Sequence, residues 1–85
     1  MSHEIKTGAV AHGLFGSYPF PVESVYAIYS DRGQAMGRFM EVGYVAKTRA
    51  ARIEWVVKNK AGQLWRSYGK TKMDAVRGAD KDGWL

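Results

Sequence analysis

Apolar and polar positions alternate most regularly over residues 52–70, Arg-Ile-Glu-Trp-Val-Val-Lys-Asn-Lys-Ala-Gly-Gln-Leu-Trp-Arg-Ser-Tyr-Gly-Lys. Two apolar-rich runs flank Asn59-Lys60-Ala61-Gly62. Asn followed three residues later by Gly suits a type I turn closed by a left-handed glycine, a common bulged hairpin loop. With Lys60, Ala61 and Gly62 as the loop, Asn59 faces Gln63, Val57 faces Trp65, Trp55 faces Ser67 and Ile53 faces Gly69. These residues share one face, expected to be dry and to hold two tryptophans. The opposite face collects Arg52, Glu54, Val56, Lys58, Leu64, Arg66 and Tyr68, and is expected to be basic with a single ring.

The rest of the chain is read against this hairpin. Residues 24–30, Ser-Val-Tyr-Ala-Ile-Tyr-Ser, form a short β-rich run. The turn signal Asp31-Arg32-Gly33-Gln34 follows. Gly33-Gln34 aligns with Gly62-Gln63, and Tyr26-x-Ile28 aligns with Trp55-x-Val57. This repeated hairpin plan directs Tyr26, Ile28 and Met36 to the core. Residues 34–51 carry two signals. Met36, Phe39, Met40 and Gly43 have helical spacing. Gly37, Gly43 and the Val42/Tyr44/Val45 cluster disfavour helix and favour strand, so a bent strand over about 35–46 is the reading taken. A short helix is expected over 71–79, with Thr71 capping the amide of Asp74. Met73, Val76 and Ala79 form its apolar face, Lys72 and Arg77 lie on the other side, and Gly78 ends it or weakens its last turn. Trp84-Leu85 is read as a plug on the core rather than an exposed anchor.

Residues 1–22 have no clean period. Pro19-Phe20-Pro21 disfavours helix at Tyr18 and Phe20. The aromatic residues of this stretch would be costly to leave in water, so it reads as an extended arm docked on the domain. The fold class is therefore α+β: a small antiparallel β-sheet of three or four strands built from hairpins, with a short C-terminal α-helix packed on one face. Residues 1–85 form a single domain. The expected core is Trp55 and Trp65 with Ile53, Val57, Met73 and Val76.

Composition narrows the chemistry. With no cysteine among 85 residues, a disulfide and a thiolate metal site are both excluded, and a reducing compartment is expected. No apolar run approaches the roughly 20 residues of a membrane span. Met1-Ser2-His3-Glu4 lacks the start of a signal peptide. The expected location is cytoplasmic, with no membrane partner. His3 and His12 stand nine residues apart with no Asp nearby in the sequence, so no metal site is expected, and no cofactor site is evident. There is no Gly-x-Ser-x-Gly elbow. Gly69-Lys70-Thr71 resembles the end of a phosphate-binding loop, but Leu64 stands where that loop needs its first glycine. The chain is expected not to be an enzyme.

Charge points to function. Net charge is +5. Residues 47–77 hold nine basic and two acidic residues, a net of +7, so the remainder carries −2. A patch of this kind attracts DNA or RNA, acidic proteins or anionic surfaces. On the polar hairpin face Arg52, Lys58, Arg66, Lys70 and Tyr68 are the candidate nucleic-acid-binding residues: cations hold phosphates while a ring stacks a base. The bland alternative is an ordinary solvated sheet face. A second class of function is a phage or mobile-element protein, anti-CRISPR-like, that inhibits a host enzyme or defence complex by protein–protein binding. Phe15, Tyr18, Phe20 and Trp84 would then be its anchors, and a host protein with an acidic surface its partner. A structural or assembly subunit using an open sheet edge is a third.

Overall fold

A computed structural model describes residues 3–10, 15–16, 20–34, 37–49, 54–65 and 68–85, with only the backbone at Val10. Among these the chain forms a four-stranded antiparallel sheet and one C-terminal helix, the expected α+β architecture. The strands are β1 (Ile5–Val10), β2 (Val22–Ser30), β3 (Met40–Thr48) and β4 (Trp55–Asn59), and they lie side by side in sequence order. No helix among the described residues is long and apolar enough to cross a membrane.

The alternation in β2 places Tyr26 and Ile28 on one face and Val25 on the other. β3 repeats the pattern with Val45 on the first face and Tyr44 and Ala46 on the second. Residues 40–48 thus form a strand rather than a helix, beginning later than the sequence suggests. Gly43 is required there by packing: a Cβ would lie 2.9 Å from Leu85 Cδ2 and closer still to the Lys58 carbonyl oxygen. The fourth strand comes from an unexpected place. Part of the N-terminal stretch, read as a docked arm, is β1, a full sheet member pairing Ile5 with Ser30 and Thr7 with Ile28. Ile-Lys-Thr-Gly-Ala-Val has too little alternation to announce a strand, and its pairing with β2 decides the matter.

At the 59–63 loop the hairpin follows the sequence reading. Asn59 N–H donates to the Gln63 carbonyl, Gly62 N–H donates to the Asn59 carbonyl, and Gly62 has φ +85°. Trp65 N–H donates to the Val57 carbonyl at 2.8 Å. Further out the register changes. Trp55 pairs with Gly69, not Ser67, so four residue steps on the return segment face two on β4. The expected partner of Gly69, Ile53, lies outside the described residues. The new pairing sets Gly69 against the helix: a Cβ on Gly69 would collide with the backbone of Ala75. Gly69 is therefore a point of close approach between the return segment and the helix.

The helix α1 (Lys72–Lys81) starts as expected, with Thr71 Oγ1 accepting from Asp74 N–H at 3.1 Å. It does not end at Gly78. It runs on to Lys81 and closes when Gly83, at φ +75°, donates to the Asp80 carbonyl and Trp84 N–H donates to the Ala79 carbonyl. This is the paired-bond glycine stop of helices. Gly78 instead makes a notch, since a Cβ there would sit 2.6 Å from Trp65 Cη2.

Two cores result. Ile28, Val45 and Val57 from the sheet and Ala75, Val76 and Ala79 from α1 are fully buried between sheet and helix. Trp55, Trp65, Met73 and Trp84 pack around them half-buried. The tryptophans thus frame this core instead of filling it, because small α1 residues bring the helix too close to leave space for large rings beneath it. Their ring N–H groups stay near the surface: Trp65 Nε1 donates to Asp82 Oδ2 at 2.8 Å and Trp84 Nε1 to the Gln63 carbonyl at 2.9 Å. On the opposite face Phe15, 1% exposed, lies over Val25, Ala46 and Val56.

Candidate nucleic-acid interface

The helix-free face of β4 was expected to be basic and solvated. The structure makes its centre a second core. Val56 is buried beneath Phe15, and Leu64 packs beside it. Lys58 Nζ donates to the Phe15 carbonyl and lies 5.1 Å from the centroid of the Phe15 ring. Its ammonium is therefore committed to holding the arm. Arg52 and Arg66 lie outside the described residues. Tyr68, 57% exposed, and Lys70, also exposed, flank Gly69 and are carried to the end of the sheet by the Trp55–Gly69 pairing.

That pairing assembles a different surface from the one the hairpin pattern describes. Tyr26 and Trp55 lie 6.1 Å apart between ring centroids, tilted at 43°. Lys72, the first residue of α1, places Nζ 4.2 Å from the Tyr26 centroid. Lys47 is the β3 partner of Trp55. Two half-buried rings and Lys72 thus meet where the sheet end adjoins the start of the helix, while the exposed Tyr68 and Lys70, on either side of Gly69, turn to the opposite face of the sheet. A cation over a ring face is attracted by its quadrupole, so Lys72 is held among the aromatics rather than free in solvent. Sequence reasoning missed Tyr26 and Lys72. The repeated hairpin plan placed Tyr26 on the same face as Trp55, but that face was assigned wholly to the core. Lys72 was assigned to the outer side of the helix, although its place just after the Thr71 cap brings it back to the sheet.

Elsewhere acidic residues take up the positive charge. Glu23 Oε1 lies 2.6 Å from Arg49 Nε, and its other oxygen is 3.9 Å from Lys47 Nζ. Asp80 binds Arg32 at 3.0 Å and His3 Nε2 at 2.7 Å. His3 is thus joined to an aspartate 77 positions away, a partner invisible to local spacing. Glu41 accepts from Lys60 Nζ at 2.6 Å and from the Tyr44 hydroxyl at 2.7 Å. The Lys60 hydrogen bond, then that of Tyr44, holds Glu41 below the ordinary carboxylate pKa. The Glu41 carboxylate in turn raises Tyr44 and Lys60. Lys70 and Lys72 have no carboxylate within salt-bridge distance among the described residues.

Of the other aromatic candidates, Phe15 is buried, Phe20 is 51% exposed and Trp84 is docked through its ring N–H. Tyr18 lies outside the described residues. Compared with known proteins, the chain matches no family model, no curated protein and no solved structure.

Proposed function

We propose that this chain is a small non-enzymatic module that binds single-stranded nucleic acid around the end of the sheet that carries Tyr26, Trp55 and Lys72 on one face and Tyr68 and Lys70 on the other. The observation that carries this reading is the cluster of Tyr26, Trp55 and Lys72 at the sheet end, with Lys72 seated over Tyr26, beside the Trp55–Gly69 pairing that is flanked by the exposed Tyr68 and Lys70. Lysines unpaired by carboxylates supply phosphate contacts, and an exposed ring beside them offers a stacking surface that every base can use. Arg52 and Arg66, from the sequence pattern, would extend the phosphate track. The expected place of action is the cytoplasm.

Fluorescence polarisation with short DNA and RNA oligonucleotides, single-stranded and duplex, over a salt series tests it. If about four phosphates are contacted, log affinity should fall with log salt at a slope near −2.8 for single strands. Tyr68→Ala should weaken single-strand binding by about 1–3 kcal/mol. Absence of binding at low salt up to high micromolar protein removes this reading. The half-exposed Phe20 favours a second one, inhibition of a host enzyme or defence complex through an acidic protein surface. A stoichiometric protein partner that survives nuclease treatment in a lysate pull-down would support it.

A further inference from the structure

The two edges of the sheet are finished differently. β4 is closed on its outer side by the return segment, through the Lys58–Leu64 and Trp55–Gly69 bridges. The outer side of β1 faces no further strand among the described residues. Asp31 N–H donates to the Glu4 carbonyl at 3.2 Å and Glu4 N–H donates to Asp31 Oδ1 at 2.7 Å. The main-chain groups of Glu4 therefore point inward. Successive residues of an antiparallel strand alternate in this respect, so Ile5 and Thr7 turn their amides and carbonyls outward.

An edge of this kind is a template for another strand unless a proline or a projecting lysine guards it. Residues 3–10 contain no proline. Their one lysine, Lys6, is drawn onto the sheet face, with Nζ 4.1 Å from the Phe39 ring centroid. The order of charges then selects the occupant. Glu4-Ile5-Lys6 is self-complementary about Ile5: in an antiparallel pair centred there, each Glu4 stands directly across from the other chain's Lys6, on the same face. Glu4 is exposed, and its carboxylate has no partner among the described residues. Opposite charges directly across a strand pair stabilise it, and like charges oppose it.

We propose that two copies of this chain associate through β1, antiparallel over residues 3–7, with the two-fold axis at the Ile5–Ile5 pair. The contact is isologous and closes on itself, joining two four-stranded sheets into one continuous sheet whose remaining edges are the covered β4 edges. A single short strand pair buries less than the roughly 1,200 Å² of a stable complex, so the association is weak and depends on concentration.

Sedimentation equilibrium on nuclease-treated protein, up to about 1 mM, reads this directly. The parent chain should shift toward twice the monomer mass as concentration rises. Glu4→Lys and Lys6→Glu should each remain monomeric at concentrations where the parent associates, while retaining the parent circular dichroism spectrum. Mixing these two variants in equal amounts should restore association, because each Lys then faces a Glu. The double variant Glu4→Lys/Lys6→Glu should associate alone. A parent chain that stays monomeric throughout overturns the proposal. So does a dimer that either single reversal leaves intact, or a pair of variants that stay apart when mixed.

Discussion

The two faces of the sheet are kept dry by different means. One face meets α1: six fully buried small and medium side chains come from three strands and the helix, and large aromatics ring them. The other face has no helix among the described residues. Phe15 covers Val25, Ala46 and Val56, and Lys58 holds it in place by donating to its carbonyl. An 85-residue chain buries only a little over 60% of its unfolded surface, and here one helix covers one face. The second cover is an aromatic residue delivered by a distant part of the chain, and a lysine that would otherwise stand in solvent becomes a strut. Charge read from sequence is therefore an upper limit on charge offered to a ligand.

The largest effect should come from the helix face. Trp65→Ala empties the notch at Gly78 and removes the bond to Asp82, and should cost about 3–5 kcal/mol in urea unfolding. Full retention of the melting temperature would show that the ring adds nothing to the helix contact. Phe15→Ala should cost less, about 2–3 kcal/mol, under the usual range for Phe→Ala, because the arm can settle onto the space left. Amide exchange should quicken at Ala46 and Val56 while the α1 amides keep their protection. If this variant proved the less stable of the two, the ranking of the faces would be reversed.

The smallest effect belongs to the polar rim of the arm face. Glu41 has a folded pKa below its ordinary value, so its stabilisation is in place above about pH 4.5 and is lost as pH falls through the lower folded value. Parent and Glu41→Gln should therefore differ in stability at neutral pH and converge in acid. Added salt should also reduce the difference, since the pair is near the surface. At the alkaline end the raised pKa values of Tyr44 and Lys60 act in the opposite sense: their contribution is present below their ordinary values and is lost as pH rises beyond them. A difference unchanged between neutral and acid pH would show that the Glu41 hydrogen bonds exist regardless of its charge.

Legibility followed the range of the interactions. The 59–63 loop, the Thr71 cap and the shared orientation of Tyr26, Ile28, Trp55 and Val57 depend on residues within a few positions of each other or on strand alternation, and all could be read. β1 could not, because its sequence lacks alternation and its pairing partners in β2 lie far along the chain, Ile5 with Ser30 and Thr7 with Ile28. The two-residue change in register before Gly69 was equally hidden, since the place it brings Gly69 to, against Ala75 of α1, is a contact between separate elements. Gly78 looked like a helix stop because glycine often is one, but only the position of Trp65 reveals it as a notch. Of the candidate site, Tyr68 and Lys70 could be named from sequence, while Tyr26 and Lys72 needed the sheet end and the helix start to be brought together.

The sequence by itself determined the class of fold, the main hairpin loop, the helix start and the excess of positive charge in residues 47–77. These follow from side-chain periodicity, turn chemistry and composition, which act locally or are simply counted. Only the tertiary structure decided, among the described residues, which cations find a carboxylate, which rings are covered, and which edge of the sheet meets no further strand. Those outcomes depend on contacts between distant segments: Lys58 with Phe15, Asp80 with His3 and Arg32, Gly69 with Ala75. No spacing along the chain encodes such a contact, because it exists only when two surfaces compete successfully with water for each other.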